Sequence, residues 1–239
     1  MVLIRSIIFF SCLLFTTVLS AFLMLFTVAA PFSVRNRICV AWSRLNLWML
    51  KYICGLDYRV RGAENIPDEP SIFLSKHQSA WETIALFSIL PTHQVVWVLK
   101  RELIWLPLFG WALALNRPIA INRSAGRAAV KQMIDEGKDR LDKGHSVIIF
   151  PEGTRVAPGA HRRYGIGGSL LAEKSNHPVV PICHNAGVFW RRRDICKYPG
   201  TIDVVIGKAY QTNGSTAQEI NNQVQEWIES TLKSLPQER

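Results

Sequence analysis

A histidine and a carboxylate five positions apart stand out in the segment Lys76-His77-Gln78-Ser79-Ala80-Trp81-Glu82. An imidazole, with an ordinary pKa of ~6.5, is mostly neutral at cytoplasmic pH and can take the proton of an attacking hydroxyl. A carboxylate on its other ring nitrogen would fix the tautomer and stabilise the imidazolium as it forms. Five residues on a regular helix turn two side chains ~140° apart, so direct contact requires His77 to lie in the turn before the helix. Ser79 as N-cap provides this, leaving His77 in the loop and Glu82 in the first helical turn. The same placement gives Glu82 a second explanation, because Ser79-x-x-Glu82 reads as a capping box. Catalytic partner and helix cap both stay open.

Three further loops carry basic or polar groups at the ends of apolar runs. Lys100-Arg101-Glu102-Leu103 follows one, Asn122 and Arg123 close another, and Phe150-Pro151-Glu152-Gly153-Thr154-Arg155 closes a third. In an open α/β sheet ligands collect beyond the carboxyl ends of the strands, so these loops are expected to share a pocket with His77. The planar forks of Arg123 and Arg155 suit a phosphate, and Lys100 adds a point charge. Glu152 reads as a substrate-hydroxyl acceptor, as a support for Arg155, or as a plain turn residue. Donors for a tetrahedral oxyanion are expected either near Ser79 or in the Pro151–Thr154 turn. There is no G-x-S-x-G nucleophile signature, which favours direct attack over a covalent enzyme intermediate.

Taken in order, these segments resemble the sequence blocks of the glycerolipid acyltransferase family. His77 to Glu82 matches its His-x4-Asp block, Ile119 to Arg123 the strand ending in Arg, and Phe150 to Arg155 its third block. Val179, Val180, Pro181 and Ile182 match its Val-Pro strand, and the resemblance covers about residues 60 to 210. It implies transfer of a fatty acyl group from acyl-CoA or acyl carrier protein to the sn-2 hydroxyl of lysophosphatidate, with no resident cofactor and no metal. In this scheme His77 is the base, Glu82 orients it, and Lys100, Asn122, Arg123, Glu152, Gly153, Thr154 and Arg155 hold the glycerol phosphate. The acid here is Glu82 where the family usually has Asp. Ile104 to Leu115, with Trp105 and Trp111, would wall the acyl chain, touch the bilayer or simply pack. Another lysolipid acceptor, or a non-catalytic membrane-binding module on the same scaffold, are the competing readings.

Short apolar runs alternate with helical patterns, the order of an α/β domain with a mixed, mostly parallel sheet covered by helices. Strands are expected at Tyr58–Arg61, Ser71–Ser75, Gln94–Leu99, Ile119–Ile121, Ser146–Phe150, Val179–His184 and Ile202–Ile206. A helix capped by Ser124 should carry Val130, Met133, Ile134 and Leu141 on one face, pack through it and stop at Gly144. A last helix opens with the capping box Thr216-x-x-Glu219 and buries Ile220, Val224, Trp227, Ile228 and Leu232.

At 239 residues the chain has room for one anchor and one catalytic domain. Residues 6 to 34 contain no charged side chain, and Ser6 to Ala30 as a helix would reach ~37 Å, enough to cross a ~30 Å hydrocarbon core. Residues 1–34 therefore read as an uncleaved membrane anchor rather than a signal peptide. Residues 35–55 follow as a basic interfacial helix, with Ile38, Trp42, Leu45, Met49 and Tyr52 on its apolar face and Arg37, Arg44 and Lys51 beside them, and residues 56–239 form the catalytic domain. The positive-inside bias of Arg35, Arg37, Arg44 and Lys51 puts that domain on the cytoplasmic side, and the resemblance implies a bacterial inner membrane. A net charge of +10 calls for anionic partners, and with no helix-turn-helix, zinc-finger or RNA-binding signature the anchor points to anionic lipids rather than nucleic acid. Cys12, Cys39, Cys54, Cys183 and Cys196 are odd in number and form no CxxC pair, so neither disulfides nor zinc are expected.

Overall fold

In the computed structural model, which describes residues 1–238, all seven expected strands form, with ends shifted by at most two residues. They are β1 (Leu56–Arg61), β2 (Ile72–Ser75), β3 (Val95–Lys100), β4 (Ile119–Ile121), β5 (Ser146–Ile149), β6 (Val179–His184) and β7 (Gly200–Ile206). They make one sheet in the order β1-β7-β6-β2-β5-β3-β4. Every pairing is parallel except β6 with β7, so the sheet is mixed and mostly parallel, as the strand pattern implied. The central strands β2, β5 and β6 are buried throughout, which explains their near-continuous apolar sequences. Because β2, β3, β4, β5 and β6 run the same way, the loops after all five emerge at one edge.

Helices cover both faces. On one lie α2 (Phe32–Met49) and α3 (Trp81–Ile89), which share a core with Phe73, Ile148, Val180 and Ile182. On the other lie α5 (Arg127–Asp142), α6 (Gly167–Ser175) and α8 (Ala217–Ser234), packed on Ile72, Leu74, Val147 and Ile149. The short α4 (Phe109–Leu115) and α7 (Ala186–Phe189) complete the set. A side chain on Gly137 would come within 2.6 Å of Leu171, so glycine is what lets α5 approach α6. The capping box of α8 is present as expected. The start of α5 is not, because the Asn122 side chain takes the Ser124 N–H and Gly126 adopts a positive φ, so the helix begins at Arg127.

Near the N-terminus, α1 (Val2–Leu25) is long and apolar enough to cross a membrane by length and composition. It is also docked along the domain. Phe9 is fully buried with its ring 5.7 Å from that of Trp190, and the Ser6 hydroxyl accepts the Lys197 N–H at 2.8 Å. At the other end Ala21 and Met24 pack on Ala112 of α4. The buried Arg35 donates to Thr27 O at 3.1 Å, satisfying a carbonyl just past the end of α1. The outward side exposes Leu14, Phe15, Val18 and Phe22 among others.

The inward face of α2 differs from the stripe expected from spacing. Ser43, Asn46 and Leu47 turn inward, with Ser43 Oγ donating to Ile84 O at 2.6 Å and Asn46 Oδ1 accepting from Thr16 at 3.1 Å. Small polar residues suit this face because it meets neighbouring helices at close range. Met49 is buried, whereas Leu45 and Tyr52 are exposed, as are Arg37, Arg44 and Lys51. A π-helical turn, Leu50–Cys54, carries the chain into β1 through Gly55 at φ 69°.

If α1 is an integral part of the domain, Phe9→Ala should cost about 3 kcal/mol through the cavity left against Trp190. Thermal unfolding of the detergent-solubilised chain measures this, and an unchanged midpoint would show that α1 is only an appended tail.

Candidate active site

The turn between β2 and α3 is shaped by one carboxylate oxygen. Glu82 Oε1 lies 2.8 Å from His77 Nδ1, 2.9 Å from the Gln78 N–H and 2.8 Å from the Ser79 N–H. Glu82 thus acts both as cap and as imidazole partner, and the alternatives posed by its sequence position merge. Ser79 caps the helix start through its hydroxyl, although the regular helix begins two residues later. The helix starts at Trp81, and the Ser79 hydroxyl accepts the Trp81 N–H two residues on, at 3.1 Å, one of the two N–H groups that an N-cap side chain takes. A carboxylate already accepting two backbone donors requires the third contact to be a donor as well, so His77 carries its proton on Nδ1 and leaves Nε2 as an acceptor. The His77 side chain is 13 % exposed, while Glu82 is completely buried. Burial opposes the Glu82 charge, yet the neighbouring imidazoles of His184 and His77 and the backbone donor at Ser79 hold its carboxyl below the usual range.

His77 is fixed from three other directions. Its ring stacks on Phe150 at 3.9 Å with the planes 8° apart. Its carbonyl accepts the Val156 N–H at 2.8 Å, and its own N–H donates to Glu152 Oε2 at 2.7 Å. Glu152 is therefore neither a support for Arg155 nor aimed at substrate. Its other oxygen accepts from Lys76 Nζ at 2.7 Å, and Lys76 reaches Glu229 of α8 at 2.7 Å. Lys76 and Glu152 are both buried, Tyr164 donates to Glu229 at 2.8 Å, and His161 lies 3.2 Å from the second Glu229 oxygen. Burial works against the Lys76 charge, but the two carboxylates raise its pKa above the ordinary lysine value. This network was not foreseen beyond Glu152.

Arg123 donates to Gly153 O, which ties the end of β4 to the turn after β5. Beside these two residues a cleft of about 210 Å³ runs between the sheet and α5, walled by Val98, Ile121, Val130 and Met133. Asn122 is occupied in its own turn, accepting from the Ser124 N–H and hydroxyl at 3.2 and 2.7 Å. Thr154 and Arg155 lie half-buried in the segment pinned to His77 through Val156. Among the described residues the Arg155 guanidinium has no ion-pair partner, and its carbonyl accepts from Arg192 at 3.2 Å. Lys100 stands apart, about half exposed and paired with Glu102 at 3.4 Å. The Gln78, Ser79 and Trp81 N–H groups are already bonded, and in the turn after β5 Pro151 has no N–H while the Gly153 N–H is bonded to Phe150 O at 3.0 Å.

The acyltransferase family model matches residues 57–185. A 1-acyl-sn-glycerol-3-phosphate acyltransferase of Pseudomonas aeruginosa is 45% identical over 210 residues, covering 86% of this chain and 80% of that protein. The human 1-acyl-sn-glycerol-3-phosphate acyltransferase beta is 29% identical over 190 residues, covering 79% and 67%. The crystal structure of the 1-acyl-sn-glycerophosphate (LPA) acyltransferase PlsC from Thermotoga maritima shares the fold, with a TM-score of 0.80 over 98% of this chain and 95% of that one at 21% identity.

Glu82→Gln keeps an oxygen for the two backbone N–H groups and removes the charge that supports an imidazolium. It should fold normally and lose turnover by about a hundredfold or more; near-full turnover would reduce Glu82 to a cap. Lys76→Met leaves Glu152 and Glu229 facing one another without their cation. Denaturant unfolding should show a loss of about 3 to 5 kcal/mol, and a wild-type midpoint would remove the network from any structural role.

Proposed function

Since this chain belongs to the acyltransferase family, we propose that it transfers a fatty acyl group from an acyl thioester to the free sn-2 hydroxyl of 1-acylglycerol 3-phosphate, giving phosphatidate. The observation that carries the mechanism is the 2.8 Å contact of His77 Nδ1 with a buried carboxylate, which leaves Nε2 free for the substrate. The acceptor hydroxyl gives its proton to Nε2 as its oxygen attacks the thioester carbonyl. The imidazolium so formed is stabilised by Glu82 through Nδ1, and the stacked Phe150 ring holds the imidazole in plane. Collapse of the tetrahedral intermediate expels a thiolate, a far better leaving group than an alkoxide, so no strong general acid is needed. The Thr154 and Arg155 N–H groups, which have no acceptor among the described residues, are the candidate donors to the oxyanion.

Arg155, whose guanidinium has no ion-pair partner among the described residues, is the first candidate for the substrate phosphate, followed by Arg123, which is tied to Gly153, two residues before Arg155 in the chain. Arg123 has a second task in holding Gly153. Acyl-CoA and acyl carrier protein are both anionic and suit the basic surface. The exposed apolar side of α1 and the exposed Trp105, Trp111 and Phe109 favour a membrane-bound enzyme drawing its acceptor from the bilayer, with the catalytic domain on the cytoplasmic side of the inner membrane. Lys100 would act only at the periphery.

Purified membranes supplied with lysophosphatidate and a labelled acyl-CoA should form phosphatidate, and His77→Ala should lower the rate by about 10² to 10⁴-fold. A panel of lysolipids should show dependence on the phosphomonoester, and Arg155→Ala should raise KM for lysophosphatidate more than it lowers kcat. Full activity of His77→Ala would end the base assignment, and equal use of lysolipids lacking the phosphomonoester would end the acceptor assignment.

A further inference from the structure

Glu82 has a second oxygen that the mechanism leaves unused. While Oε1 collects three contacts, Oε2 is buried and has no hydrogen-bond partner among the described residues. His184 Nε2 lies 3.9 Å from it, on a fully buried imidazole at the carboxyl end of β6. His184 is itself fixed on both nitrogens. Nδ1 accepts the Ala186 N–H at 3.3 Å, which places the proton on Nε2, and Nε2 donates to the Lys76 carbonyl at 2.9 Å. The donor edge of the ring therefore lies between the carbonyl that precedes His77 and the open oxygen of Glu82. The Trp81 ring, 5.9 Å away edge-on, closes the site.

A buried carboxylate oxygen without a donor is costly unless a dipole faces it. Here β2 and β6 are neighbours in the sheet, with Ser75 beside Ile182, so the loop bearing His77 and the end of β6 emerge together. We infer that His184 is a positioning residue for the reaction, whose Nε2–H edge holds the Lys76 carbonyl and faces Glu82 Oε2, keeping Oε1 turned onto His77 Nδ1. The inference rests on the His77–Glu82 reading above and extends it to a His–Glu–His chain in which only the first member meets substrate. It also gives the longer Glu82 side chain a structural counterpart across the sheet. Burial pushes the His184 pKa down, in keeping with a neutral ring, and the charged or titratable groups around it are Glu82, His77 and the Lys76 ammonium, which is itself turned to Glu152 and Glu229.

The test compares the full-length chain with His184→Gln and His184→Asn, measuring kcat, KM and the pH profile of kcat/KM in detergent with lysophosphatidate and acyl-CoA. A Gln amide puts a donor where Nε2 lies, whereas an Asn amide stops at the reach of Nδ1. Gln should retain near-wild-type turnover. Asn should lose kcat by about tenfold at unchanged KM. Its acidic limb should move to higher pH, because the competent state contains the Glu82 anion and loss of the facing dipole favours protonated forms of the pair. If Asn does not fold, His184→Phe, which keeps the ring volume without a donor, is read in the same way. Equal turnover and an unmoved acidic limb in the Gln and Asn or Phe variants would overturn the inference. His77→Ala, assayed in parallel, keeps the two readings apart. An inactive His77→Ala beside indifferent His184 variants removes only the role of His184, whereas an active His77→Ala removes the base itself.

Discussion

The arrangement depends on one buried oxygen. Glu82 Oε1 gathers an imidazole N–H and two backbone N–H groups within 2.9 Å, and these bonds curl residues 77 to 82 into the turn that presents His77 to solvent. A carboxylate taken wholly out of water is tolerable only with such saturation on at least one side. In return it sets which nitrogen of His77 carries the proton, and so which one the proposed mechanism has free to accept a proton.

A second buried charge cluster fixes the position of that turn. Lys76, Glu152 and Glu229 come from the end of β2, the turn after β5 and the later part of α8, and their ion pairs, with the Glu152 bond to the His77 N–H, join three distant parts of the chain at His77. Such clusters contribute little net stability against an apolar alternative, but breaking one partner is expensive, so they favour one arrangement over its neighbours. The parallel sheet makes them possible by delivering five loops to one edge.

How much of this the sequence discloses follows from the range of each interaction. The seven strands are readable because each is a short apolar run between breakers, and the α8 cap because both its partners lie within three residues. The pairing of His77 with Glu82 is local and was legible, although the sequence presented cap and partner as rivals when the structure satisfies both with one oxygen. Ser79 caps α3 as its position suggests, taking the Trp81 N–H two residues ahead while Glu82 returns a bond to the Ser79 N–H. Glu229 lies 153 residues from Lys76, and His184 lies 108 from its carbonyl acceptor; no local pattern marks either. Lys100 resembled a ligand by its place after a strand, yet pairs with its own neighbour at the surface. The polar inward face of α2 was equally hidden, since periodicity finds apolar stripes and not the small polar contacts of close helix packing.

The most direct test of the central claim, that His77 and Glu82 work as one unit, is a double-mutant cycle on kcat/KM with His77→Ala, Glu82→Gln and the combined variant. The account predicts that the double variant is no slower than His77→Ala alone, because without the imidazole the carboxylate has nothing to support. Losses that multiply would show two independent contributions and contradict it.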